Sequence, residues 1–196
     1  MQFEKGYIYH IYNQGNNKQK IFFNRENYLF FLKKIKIYIN PYADILAWCL
    51  MPNHFHLMIY VRKTRLSIKS EGFTLSETLT TRTFNHSIGI LLRTYTRAIN
   101  KQEKISGSLF RKETKAECVN CFNGITPSFI KNKINIVSFE KQYPQILFNY
   151  IHQNPVKARL AKEMIDWEFS SARDYYTGRK GKLINADLAK EYINVS

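Results

Sequence analysis

The sequence predicts an α+β fold: an antiparallel sheet in split βαβ-βαβ order, with helices packed on one face. Two observations point there. Apolar residues switch between strand-like runs and runs at helical spacing, in the order strand, helix, strand, strand, helix, strand, helix. The two central strand-like runs are separated only by Met51-Pro52-Asn53, as in a β-hairpin. No internal repeat or low-complexity tract competes with this order. At 196 residues, 44% hydrophobic and 15% aromatic, the chain can bury enough apolar surface to order itself around one core. We therefore expect one domain over 1–196, with insertions near 63–73 and 120–141.

Residues 7–12 (Tyr-Ile-Tyr-His-Ile-Tyr) are aromatic and β-branched and stop at the turn-rich run 13–17, which reads as a first strand and loop. Asn24 is placed to cap a helix in which Tyr28, Phe31, Leu32, Ile35 and Ile39 recur at helical spacing before Pro41. Residues 44–50 and 54–61 form the expected hairpin. The basic, polar stretch 63–72 reads as a loop. Thr74-Leu75-Ser76-Glu77 matches a capping box, and Phe84, Ile88, Leu91, Tyr95 and Ile99 mark the buried stripe of a long helix. Ser106-Gly107-Ser108 breaks that helix, and 109–119 reads as a further strand. Residues 120–133 carry no strong pattern. A last helix, starting near Ser138 or Pro144, runs to Asn154, and Pro155 argues against its continuation.

Thirty Lys and Arg against fifteen acidic residues leave a formal charge of +15, which calls for a polyanionic partner. Nucleic acid and an anionic membrane surface both satisfy that charge. No stretch approaches the roughly 20 apolar residues of a spanning helix, and residues 1–6 lack a signal-peptide apolar core. A soluble, cytoplasmic protein with no membrane partner is expected. Cys49, Cys118 and Cys121 cannot all pair with one another, so reduced thiols are the default. The C-x-x-C at 118–121 has no second ligand pair to complete a zinc site.

Chemistry enters with His54-Phe55-His56. One residue apart on a strand, the two imidazoles leave the same face, while Phe55, Leu57 and Ile59 point to the other, where helices can cover them. Two neutral ring nitrogens side by side suit one metal ion. Tyr150 and Asn154, four apart on the last helix, share a face. If that face looks toward the histidines, the Asn154 carboxamide oxygen completes a metal site and the Tyr150 hydroxyl reaches a substrate bound there. The plainer alternative is a core tyrosine with Asn154 capping the helix end. His10 reads as a hydrogen-bonded structural histidine near the site, His152 faces elsewhere, and His86 has no role. Trp167 and Phe169 read as core.

These motifs together resemble the single-tyrosine HUH transposases, and among them the REP-associated tyrosine transposases. The resemblance runs through Tyr9-His10-Ile11-Tyr12-Asn13, Met51-Pro52-Asn53-His54-Phe55-His56, Gly107-Ser108-Leu109-Phe110-Arg111, Tyr150-Ile151-His152-Gln153-Asn154-Pro155-Val156-Lys157-Ala158 and Trp167-Glu168-Phe169-Ser170-Ser171. It implies a ferredoxin-like HUH endonuclease fold, His54 and His56 as metal ligands with Asn154 as the third, Tyr150 as nucleophile, and Mg²⁺ or Mn²⁺ as cofactor. It also implies single-stranded or hairpin DNA as partner, cut and rejoined through a 5′-phosphotyrosine, with a homodimer left open. The sequence departs from the pattern at 120–141, which is longer than the usual link, and at Gln14, where an Arg is often found. Within this reading Arg111, Lys112 and Lys115, and then Lys157 and Arg159, are candidates to hold DNA phosphates. The alternative is a noncatalytic nucleic-acid-binding module on the same fold.

Overall fold

The computed structural model describes residues 2–69, 79–121 and 139–195. In chain order it contains β1 (Ile8–Gln14), α1 (Arg25–Tyr38), β2 (Ala43–Met51), β3 (His54–Val61), β4 (Arg65–Lys69), β5 (Leu79–Thr83), α2 (Phe84–Glu103), β6 (Lys115–Cys118), α3 (Phe139–Lys157), α4 (Ala172–Tyr176) and α5 (Ala186–Lys190). Four strands form an antiparallel sheet in the order β2-β3-β1-β6. β3 lies between β1 and β2, and β1 lies between β3 and β6, so two βαβ units interleave in the expected split order.

The two crossover helices pack on one face, as the sequence predicted. Tyr28, Phe31 and Ile35 of α1 and Phe84, Ile88, Leu91 and Tyr95 of α2 meet Ile11, Phe55, Leu57 and Ile59 of the sheet. The one-face expectation does not extend to α3. Its Leu147, Phe148 and Ile151 cover the opposite face, against Ile8, Cys49, Met51 and Met58. The physical reason lies in β2, which is buried at nearly every position and so needs cover on both sides.

α1 begins where expected. The Asn24 side chain accepts from the Asn27 backbone N–H at 3.1 Å, and the Asn27 side-chain oxygen accepts from the Asn24 N–H at 3.3 Å. Asn27 is itself buried and donates to Gln102 at 2.9 Å, joining α1 to α2. Asn24→Ala is expected to cost about 1 kcal/mol, read as a lower urea midpoint at unchanged slope. An unchanged midpoint would show that the cap does not hold the helix start.

Several boundaries differ from the sequence expectation. The capping box at 74–77 lies outside the described residues, and α2 starts instead at Phe84, capped by Thr83, whose hydroxyl accepts from His86 N–H at 3.2 Å. Residues 65–69 are a strand paired with 79–83, not a loop. The strand expected over 109–119 shrinks to Lys115–Cys118, because Leu109 and Phe110 bury themselves from a loop that is pinned to the end of β1. Asn16 N–H donates to Leu109 O at 2.9 Å and Arg111 N–H to Gln14 O at 2.9 Å. Gly15 sits in that crossing, where a Cβ would lie 2.1 Å from the backbone oxygen of Gln19. α3 runs through Pro155 to Lys157, since Ala158 N–H still reaches Asn154 O and Leu160 N–H reaches Pro155 O, both at 2.9 Å.

Cys118 and Cys121 are joined as a disulfide rather than held as reduced thiols, their Cα atoms 5.8 Å apart, within the span a bridge accommodates. Cys49 is free and buried. Phe169 is a core residue, as expected, and Trp167 is half-buried and packs against the core. Phe169 stacks on Tyr28 with ring centroids 3.9 Å apart, and the Trp167 indole donates to Leu50 O at 2.9 Å. No helix among the described residues is long and apolar enough to cross a membrane.

Candidate active site

The β1–β3 ladder builds one wall of the site. Its register sets Tyr12 opposite His56 and Gln14 opposite His54, so side chains at period two gather on the face that α3 covers. His10, two residues before Tyr12, shares that face. Phe55, Leu57 and Ile59 point into the other core layer, as the alternation required.

α3 supplies the other wall. The Tyr150 ring stands edge-on to His56 with centroids 5.4 Å apart, and to His10 at 6.0 Å. His54, His56 and Tyr150 share a pocket of about 330 Å³, whose remaining lining includes Tyr12, Arg111 and Lys115. A single chain thus brings its tyrosine to its own pair of histidines. Asn154 lies one turn farther along α3, half-buried, and is not part of the pocket wall. Its amide nitrogen donates to the Tyr150 carbonyl oxygen at 2.9 Å.

Burial dominates the electrostatics. It pushes His10 down to about 3 and His54 down to about 4, and it holds His56 well below the ordinary 6.5, with His10 and His54 adding to the effect. All three rings are therefore neutral at pH 7. The Asn53 carboxamide oxygen lies 2.6 Å from His54 Nδ1, which places the proton there and the lone pair on Nε2. His56 Nδ1 and His10 Nε2 are 2.9 Å apart, while His56 Nε2 is buried with no hydrogen-bond partner among the described residues. A buried imidazole nitrogen without a partner, beside a second neutral imidazole, fits a metal ion. Among the described residues no three His, Cys, Asp or Glu side chains converge. Burial raises Tyr150; a hydrogen bond from Asn154 pulls it back and the charge of Glu117 pushes it up.

These shifts have a sign for stability. A histidine whose folded pKa is depressed binds its proton more tightly when unfolded, so its contribution is complete above pH 6.5 and is lost as pH falls toward 4. His152, buried on α3 and held at about 3 by desolvation, adds to the same trend. Each fully buried histidine costs about 2 kcal/mol at pH 5 relative to pH 7. Urea midpoints in EDTA are expected to drop steadily from pH 7 to pH 5; a flat profile would mean that these rings are solvated.

The remaining candidates divide. Arg111 and Lys115 line the pocket, and Lys115 also pairs with Glu113 at 2.8 Å. Lys112 lies in an adjoining groove. The Lys157 ammonium sits over the Tyr150 ring, 5.5 Å from its centroid. Arg159 is exposed just past α3 in left-handed conformation, φ 57°. His152 turns away from the pocket to Ser171 Oγ at 2.7 Å, and His86 is exposed on α2. Sequence reasoning missed Tyr12, whose hydroxyl donates to Glu117 at 2.7 Å, and underweighted His10. Their signal was the alternation of His10, Tyr12 and Gln14 along β1.

No protein-family model and no curated protein matches the chain. Among solved structures, a REP-associated tyrosine transposase bound to a REP hairpin matches with a TM-score of 0.58 and 17% identity, over 95% of this chain and 87% of that one. At that identity the likeness concerns the fold, and the chain has an α+β fold similar to that of the REP-associated tyrosine transposase, with both histidines on a four-stranded antiparallel sheet and the tyrosine on a helix packed against it.

Proposed function

We propose that the chain is a transposase-like enzyme that cuts and rejoins single-stranded, hairpin-associated DNA through covalent attachment at Tyr150. The observation that carries this reading is the approach of the Tyr150 ring to within 5.4 Å of His56, in a pocket shared with His54. The sequence motifs, the +15 charge and the hairpin bound by the structural neighbour support the same substrate class.

In this reading His54 and His56, with the Asn154 oxygen, hold a divalent cation; imidazole nitrogen is a softer donor than oxygen, so the pair suits Mn²⁺ better than Mg²⁺. When bound, the cation draws charge from a nonbridging phosphate oxygen and favours the tyrosinate. The chain supplies the rest. Tyr150 Oη attacks phosphorus in line, its proton is lost to solvent, and the bond from phosphorus to the 3′-oxygen breaks to leave a 3′-hydroxyl. The product is a 5′-phosphotyrosyl diester, close in energy to the bond it replaced. A 3′-hydroxyl from another strand reverses the step and rejoins DNA without ATP. Arg111 and Lys115 at the pocket, and Lys112, Lys157 and Arg159 around it, neutralise phosphates and orient the strand. Because one chain supplies tyrosine and histidines, chemistry in cis needs no second subunit.

The test is incubation of the protein with hairpin DNA bearing a single-stranded flank, in Mn²⁺, followed by denaturing electrophoresis. An EDTA-sensitive protein–DNA adduct at Tyr150 is expected. Tight binding with no adduct on any hairpin would favour a noncatalytic DNA-binding module.

A further inference from the structure

A second feature adjoins the pocket, shares Arg111 with it, and adds a helix face that the site does not use. Along α2, Asn85, Gly89, Arg93 and Arg97 recur every four residues and so lie on one side of the helix. That side faces the 107–114 loop across an open groove of about 530 Å³. Four cations line it, Arg93 and Arg97 from α2 and Arg111 and Lys112 from the loop, and among the described residues no acidic one does. Among the described residues none of the four is in an ion pair, whereas Arg25, Arg62 and Arg179 each have a carboxylate within 3 Å.

Like charges four apart destabilise a helix, and here two more cations face them across the groove. A polyanion in the groove relieves that repulsion. Gly89 contributes space, since a Cβ there would come within 3.2 Å of an Arg93 guanidinium nitrogen. Arg111 lines both this groove and the tyrosine pocket, so the two adjoin at its side chain.

The shape of the groove selects among nucleic-acid ligands. Grooves for single strands offer exposed aromatic rings on which bases stack. Among the described lining residues the one ring is Phe110, and it is buried in the core. What remains is contact to phosphates, the kind of contact that fits a duplex backbone. From Asn85 to Asn100 the helix runs about 22 Å, the length of about six base pairs.

We propose, resting on the DNA-processing function above, that this groove seats the backbone of the duplex stem in hairpin DNA, while the single-stranded flank passes Arg111 into the tyrosine pocket. The 196-residue chain and its double variant Arg93→Gln/Arg97→Gln are titrated by fluorescence anisotropy with a flanked hairpin and with the flank alone, over about 50–200 mM salt. Both arginines are exposed, so the variant is expected to fold, and an unchanged thermal melt checks it. The expected result is a loss of about tenfold in hairpin affinity and a salt slope shallower by about 2, with flank binding unchanged. Lys33→Gln/Lys36→Gln, which removes the same charge from exposed positions on α1, is expected to change neither.

Wild-type hairpin affinity and slope in the Arg93/Arg97 variant, or an equal loss for the flank alone, would overturn the proposal. Adduct formation by wild-type protein in the same preparation separates the two ideas. An adduct with no groove dependence removes the groove and leaves the chemistry. Groove dependence without an adduct leaves the groove and removes the chemistry. Failure of the wild-type protein to bind the hairpin removes both.

Discussion

Tyr150→Phe is expected to abolish covalent DNA attachment, a loss of at least about 10³-fold, while DNA binding stays within about twofold. The substitution removes one oxygen and keeps the ring. The edge contacts to His56 and His10 and the Lys157 ammonium over the ring face all survive. The hydroxyl's bond with Asn154 is lost, at a cost of about 1 kcal/mol, and a thermal melt of the variant separates a lost adduct from unfolding. A second phenol, Tyr12, lines the same pocket, but its hydroxyl is bonded to Glu117 at 2.7 Å. Retained attachment in Tyr150→Phe would remove Tyr150 from the mechanism and move attention to Tyr12.

The second large effect is expected at His56. Wild-type protein at 100 times the Mn²⁺ dissociation constant should gain about 2.7 kcal/mol of stability, seen as a rise in melting temperature. His56→Gln should abolish that rise and the DNA adduct together. The variant disturbs the buried bond to His10 and should be less stable by about 1–3 kcal/mol before any metal is added. The informative quantity is therefore the Mn²⁺-induced shift, not the absolute melting temperature. His86→Ala, which removes an exposed imidazole from α2, should keep the full shift. A His56→Gln protein that still responds to Mn²⁺ would place the cation elsewhere.

Local periodicity carried much of the fold. The strand-helix-strand-strand-helix order, the Asn24 cap, the α2 stripe and the facing of His54 and His56 all depend on residues near one another in sequence. So did the isolation of His152 from the site, because its position on α3 differs from that of Tyr150 by about 200°. Where local pattern misled, a distant partner decided. Leu109 and Phe110 look like strand residues, yet the groups that claim the backbone of their loop are Gln14 and Asn16. The C-x-x-C carries no sign of its own bonding state, which depends on how the chain leaves β6.

The sequence by itself determined which residues have chemistry to offer: two imidazoles on one strand face, a phenol and an amide on one helix face, and an excess of cations. Tertiary structure decided which of these meet. The side of the sheet on which α3 packs, set by the two-faced burial of β2, brings Tyr150 to His56. Packing of α2 on the other face sets Arg93 and Arg97 beside the 107–114 loop, a pairing of segments with no trace in either alone. Spacing of 3.6 or 2 residues is a property of one segment, whereas a pocket belongs to several, and only burial of their shared surface brings them together.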